Sequence, residues 1–244
     1  MKKVEFQADD FGYNNQVNKA VRKLVLNKKI DSFSVLPNYI EESTWIVNFL
    51  TNQRIAAHIN LIEGKPVSSP SKIKTLVDKN GLFYPLPLFT IRLLLRLIKL
   101  KEISQEIEVQ LLRLKSMGII IDEINSHQHL HALSPVAEIV ISMAKKYKIK
   151  KIRSYKNILV ISLRAKIYYL LLKICAFLSY FVVKKRVGLP ITWSLNKGNY
   201  ICFMSWEGRG FSLNKIYQST NHACFVIHPG LGFDKNISYS KLLK

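Results

Sequence analysis

The sequence predicts an α/β fold, a single β/α barrel of mostly parallel strands. Three observations carry this. Short apolar runs alternate with longer segments of helical character, 244 residues suffice for one large core, and chemically versatile side chains recur where the apolar runs end.

The first strand is Lys3 to Gln7, an apolar run that leads into "ADDFG", and the first helix is Asn15 to Leu26. Strands follow at Ser32 to Leu36 and Ile55 to His58, separated by a helix from Ser43 to Leu50. A helix from Ile103 to Ser116 is stopped by Gly118, and the buried-strand signal "GIIIDEI" places the next strand at Ile119 to Ile124. Ser134 as N-cap and Pro135 as first helical residue begin a helix that runs to Tyr147. Lys151 to Arg153, Tyr200 to Met204 and Ala223 to Ile227 complete the strands. Neither an internal repeat nor a low-complexity linker divides the chain, so residues 1–244 read as one domain.

Lys and Arg number 37 against 16 Asp and Glu, a formal charge of +21. Such an excess raises nucleic acid or an anionic membrane as partner. Lys, Ile and Asn are abundant throughout, as a codon bias towards A and T would produce, and no stacking platform is interleaved with the cations, so nucleic acid is not expected. Cys175, Cys202 and Cys224 are odd in number and widely spaced, which suits a reducing compartment and gives no disulfide framework or cysteine metal site. The start "MKKVEFQADDFG" lacks the apolar run of a secretory signal, so a cytoplasmic location is expected.

Two segments break the alternation. "LPLFTIRLLLRLIKL", 86 to 100, puts Arg92, Arg96 and Lys99 at i, i+4 and i+7 of one apolar helix. "IYYLLLKICAFLSYFVVKKR", 167 to 186, is nearly continuous apolar sequence closed by three cations. Neither supplies the roughly 20 uncharged residues of a spanning helix. Both fit helices lying in a membrane surface, at the inner face for a cytoplasmic protein, and both also fit the outer helical layer of a barrel.

Asp9 and Asp10 are adjacent acids at a strand end, tolerated mainly where a cation or a functional proton compensates, although one of them could simply cap the following helix. His58 ends a strand before "NLIEG", and could be structural or a ligand. "NSHQHLHALSP" holds three of the six histidines; His127, His129 and His131 share a face if extended, and only His127 and His131 align if helical. Arg153 and His228 also stand at strand ends. Carboxyl ends of parallel barrel strands share one face, where active sites lie, so these weak signals reinforce one another. One Asp oxygen and two imidazoles form an open ligand set for a divalent metal, with acid and base groups left over, which is the inventory of a hydrolase.

"ADDFG", "HINLIEG", "SHQHLH" with its following proline, Arg153 and "HPG" resemble, in order and approximate spacing, the YdjC-like carbohydrate deacetylases, the group containing chitooligosaccharide deacetylase. The resemblance spans Lys3 to about Gly230. It implies a distorted β/α barrel related to the polysaccharide deacetylases, one divalent metal ion (Mg2+ or Zn2+), and removal of acetyl groups from N-acetylated amino sugars. It makes Asp10, His58 and His127 the metal ligands, Asp9 the general base, His228 the general acid, Arg153 a supporting group, and His129 and His131 outer contacts. A homodimer is compatible with it. The apolar, basic insertion around 158–186 resembles the hopanoid-associated branch, which implies a glycolipid substrate and peripheral membrane contact. Three departures stand out: Gln7 replaces the usual Asn, Asn125 replaces the usual Asp before "SH", and the chain ends soon after "HPG". The last two make a noncatalytic or decayed family member that binds membrane or glycolipid the alternative.

Overall fold

A computed structural model describes residues 3–41, 44–51, 53–153, 170, 174, 199–202 and 222–230. Ser43, the insertion around 158–186 apart from residues 170 and 174, and the segment after Gly230 lie outside them.

Among the described residues, seven parallel strands form one sheet in the order β5-β4-β3-β2-β1-β7-β6. They are β1 (Lys3–Phe11), β2 (Ser32–Val35), β3 (Ile55–Ile59), β4 (Ile121–Ser126), β5 (Lys151–Ile152), β6 (Asn199–Cys202) and β7 (His222–Ile227). With helices α1 (Asn15–Leu26), α2 (Thr44–Leu50), α3 (Leu86–Leu94), α4 (Leu100–Ser116) and α5 (Ser134–Lys146) between them, this is the distorted α/β barrel expected. Parallel strands need crossovers that cover the sheet, which explains the fully buried run Ile55 to Ile59.

The core lies between strands and helices. Val17 and Val21 of α1, Ile103, Ile107, Leu111 and Leu114 of α4, and Val136 and Val140 of α5 pack on Phe33, Val35, Ala57 and Ile124. The spacing of three and four along α4 keeps its apolar side chains on one face. Each fully buried Leu or Ile there contributes about 1.5–3 kcal/mol of transfer free energy.

The α4 polar residues that face inward position the loop after β3. Glu106 accepts from the backbone N–H groups of Val67 and Ser68, both at 2.9 Å. Glu102 accepts from Thr75 N and Thr75 Oγ1, both at 2.7 Å. Gln110 accepts from Asn60 N at 3.0 Å and donates to Asn60 O at 2.6 Å.

Two expectations are corrected. The run 86–100 is not one helix: α3 ends at Leu94, Arg96 takes a positive φ of 61°, and α4 starts at Leu100. The basic stripe is therefore not assembled, and Arg92 instead lies 4.4 Å over the Tyr84 ring. Ser134 is not the N-cap of α5; Leu133 is, and Ser134 begins the helix one residue earlier in register.

Candidate metal centre and active site

β1 runs past Gln7 to Phe11 and carries an irregularity at its end. Its pairing with β2 shifts between Ala8 and Phe11, and Asp10 has φ 67°, a left-handed conformation in which Asp is among the better tolerated residues. Asp9 and Asp10 are both buried and face different partners.

Asp10 faces two imidazoles. Its Oδ1 is 2.9 Å from His127 Nδ1 and 3.2 Å from His58 Nε2. The three residues each bring a ligand atom within 4.8 Å of the others. One carboxylate oxygen and two imidazole nitrogens suit Zn2+ or a harder divalent ion, with positions left open, so the donor set fits the metal the sequence implies. Each histidine is also held from outside. His58 Nδ1 donates to Asn125 Oδ1 at 2.6 Å, and His127 Nε2 lies 3.0 Å from Glu63 Oε2.

Flanked by Asp10 and Glu63 on its two ring nitrogens, His127 overcomes the desolvation that would lower its pKa and is raised to about 10. Asp10 is held well below the usual range: burial opposes this, but the hydrogen bonds from His127 and His58 prevail.

Asn125 stands opposite His58 in the β3–β4 register, which is why it supports His58 rather than His127. Its Nδ2 donates to Ser34 Oγ at 2.8 Å and to Glu123 Oε1 at 3.1 Å. Gln7, the other departure from the family pattern, donates to the same Glu123 oxygen at 3.4 Å. Burial pushes the Glu123 carboxyl up, with Arg153 opposing.

Asp9 forms a second cluster. Arg153 Nη1 donates to Asp9 Oδ2 at 2.6 Å and Nη2 to Oδ1 at 2.8 Å, while Ser34 Oγ donates to Oδ1 at 2.6 Å. Burial alone would raise this carboxyl, yet the Arg153 charge and hydrogen bonds keep it well below the usual range. His228 Nε2 lies 3.9 Å from Asp9 Oδ2, with 20% of the side chain exposed. Its pKa is lowered, chiefly by burial.

"HQHLHA" folds as a 3-10 turn broken by positive φ at Gln128 and His129, so it is neither the extended nor the helical alternative. Only His127 joins Asp10 and His58. His131 Nε2 donates to the Arg153 carbonyl at 3.1 Å and Nδ1 accepts from Ser126 Oγ, so it fastens β4 to the end of β5. His129 is buried, and desolvation, with Arg153 adding, lowers it to about 3.

Sequence reasoning missed Tyr13, Ser34, Glu63 and Glu123 as site residues. Glu63 and Gly64 carried a signal in "IEG": Gly64 has φ 71°, and a Cβ there would lie 2.5 Å from Tyr39 Oη.

Fold and site together define a class: a distorted parallel barrel whose strand ends gather a two-histidine, one-carboxylate cluster beside a buried Asp–Arg pair. Residues 3–241 match the family model of the YdjC-like proteins, and the chain belongs to that family. A carbohydrate deacetylase of Thermoanaerobacter pseudethanolicus is 34% identical over 154 residues, 61% of this chain and 59% of that protein. One from Oceanobacillus iheyensis is 25% identical over 149 residues, 60% and 63% of the two chains. One from Danio rerio is 30% identical over 139 residues, 56% and 44%. The matched region thus spans about three fifths or less of these relatives' length. The crystal structure of a candidate cellobiose-phosphate cleavage protein from Enterococcus faecalis superposes with a TM-score of 0.61 at 18% identity, over 100% of this chain and 85% of that one. At that identity the likeness concerns the fold.

Proposed function

We propose that the chain is a metal-dependent hydrolase that removes acetyl groups from N-acetylated amino sugars. The observation that carries this reading is the convergence of Asp10 Oδ1, His58 Nε2 and His127 Nδ1 beside Asp9 and His228. The names of the relatives, all carbohydrate deacetylases, point to the same substrate class.

A divalent ion on these three ligands would supply Lewis acidity towards the acetyl carbonyl and a lowered pKa for water. Asp9 is assigned the proton from that water, and His228 the proton delivered to the departing amine. Arg153 fixes the Asp9 carboxylate in one orientation and limits its basicity, so Asp9 holds a proton only briefly. At 3.9 Å, Asp9 also stabilises the charged form of His228, which burial alone disfavours.

Asn125 bears on the noncatalytic alternative. An amide oxygen accepts the His58 Nδ1 proton as a carboxylate would, fixing the tautomer that leaves the Nε2 lone pair, on the Asp10 side, free for a metal ion. That geometry favours a working site.

A lipid-borne amino sugar is the finer substrate proposal. Leu88, Ile91, Leu95 and Leu97 are exposed near Arg96 and Lys99, which suits contact with an anionic bilayer at the inner face. No helix among the described residues is long and apolar enough to cross a membrane.

The test is acetate release from N-acetylglucosamine oligomers and from lipid-linked N-acetyl sugars, with and without added Zn2+ or Mg2+. Release that needs metal and is abolished by His127→Ala is expected. A folded, metal-loaded protein that releases no acetate across the panel would overturn the reading.

A further inference from the structure

The outer support of the two histidines is asymmetric: His58 rests on a neutral amide, whereas His127 rests on the Glu63 carboxylate, itself gripped by Tyr13. Tyr13 Oη donates to Glu63 Oε1 at 2.7 Å, while Glu63 Oε2 faces His127 Nε2 at 3.0 Å. The chain Tyr13, Glu63, His127, Asp10 thus crosses from the end of β1 through the loop after β3 to the end of β4 and back.

The Glu63 backbone is fixed from both sides. Asn60 Oδ1 accepts from Ile62 N at 3.0 Å and from Glu63 N at 3.2 Å, and Asn60 Nδ2 donates to Glu63 O at 2.8 Å. Gln110 of α4 holds Asn60 in turn, and Phe83 N donates to Gly64 O at 3.0 Å. A loop carboxylate anchored this way cannot drift from the imidazole without breaking several backbone contacts. Its side chain keeps 35% exposure, so its charge is not heavily desolvated.

We propose that Glu63, oriented by Tyr13, is a positioning residue for the metal centre: it accepts the Nε2 proton of His127 and thereby fixes Nδ1 as the metal-facing nitrogen. This rests on the metal-site reading above. Glu63 is not assigned contact with the metal or with the reacting atoms. A carboxylate on the far nitrogen of a ligating histidine both selects the tautomer and raises the donor strength of the other nitrogen. The amide on His58 does the first of these without the second. The centre would therefore draw more of its affinity from the His127 side than from the His58 side.

The experiment measures Co2+ binding to the full-length protein by competition with a chelating dye, together with the visible spectrum of the bound ion. Glu63→Gln retains size and hydrogen-bonding capacity while removing charge. It should weaken Co2+ by about 10-fold or more and shift the cobalt absorption, while the metal-free protein still folds and unfolds cooperatively. Tyr13→Phe should shift both in the same direction by less, and it decides the matter if Glu63→Gln does not fold. Wild-type affinity and an unaltered spectrum in Glu63→Gln, or in Tyr13→Phe where only that variant folds, would overturn the proposal. Absence of Co2+ binding by the wild type would instead overturn the metal-site reading, and this inference with it.

Discussion

Removing the Arg153 guanidinium should expose how much the buried pair with Asp9 matters. Arg153 and Asp9 have side-chain exposures of 0% and 1%, joined by two hydrogen bonds of 2.6 and 2.8 Å. Arg153→Met keeps much of the volume and leaves Asp9 desolvated without its cation, with Glu123, 3.6 Å from Arg153 Nε, losing the same charge. Breaking a buried pair from one side costs about 3–5 kcal/mol. At roughly 2–4 °C per kcal/mol for a chain of this size, the thermal midpoint should fall by about 6–20 °C. The sign with pH follows from Asp9. Arg153 depresses its folded pKa, so the stabilisation is present above the unfolded value and is lost as pH falls through the folded one. Without Arg153, burial raises that pKa, protonation relieves the strain, and the deficit should shrink between pH 7 and pH 5. Urea unfolding at both pH values, on Arg153→Met and on Asp9→Asn/Arg153→Met, measures this. A loss below about 1 kcal/mol at pH 7, or a double variant no more stable than the single one, would refute the reasoning.

Three further outcomes follow from the geometry. Because carboxylates face both nitrogens of His127 and raise its pKa to about 10, metal binding near pH 7.5 should expel about one proton, fading as pH nears 10; calorimetry in buffers of different ionisation enthalpy reads this directly. His129, lowered to about 3 by burial and Arg153, stays neutral in the fold while the unfolded chain takes up a proton below about pH 6.5. Stability should therefore drop by about 1.4 kcal/mol on reaching pH 5.5 from this residue alone, and His129→Leu should remove that part of the urea-unfolding pH dependence. Asn125→Asp, which retains an acceptor for His58 Nδ1, should bind metal at least as tightly as the wild type, whereas Asn125→Leu should lose about 10–100-fold in a dye-competition titration.

Much of this site is legible in sequence because parallel strands deliver their carboxyl ends to one face, so Asp10, His58 and His127 meet although they come from β1, β3 and the turn after β4. Arg153 and His228 follow by the same logic. Tyr13 was not legible, and Glu63 was legible only as part of "IEG", without its partners. The two meet across 50 residues, through a loop whose path is set by Asn60, Gln110 and Gly64 rather than by periodicity. Glu123 and Ser34 read as ordinary strand residues until the β3–β4 register brings Asn125 between them. The break near Arg96 was hidden for the opposite reason: Leu, Ile and Arg favour helix on both sides, and no Gly or Pro marks the stop.

The adjacent acids at the end of β1 show how one backbone irregularity organises the chemistry. In a regular strand Asp9 and Asp10 would point to opposite faces, and one of them would leave the site. The extra residue between Ala8 and Phe11, with Asp10 in the left-handed region, instead keeps both carboxylates buried at the strand end and gives each its own counter-charge. Asp10 is balanced by His127, and Asp9 by Arg153. The two balances differ in kind. The His127 proton can leave and make way for a metal ion, whereas the guanidinium cannot deprotonate, so the carboxylate of Asp9 stays fixed through any change at Asp10. An exchangeable charge and a permanent one, balanced against neighbouring residues, would let the proposed centre accept a dication while the carboxylate beside it keeps its position.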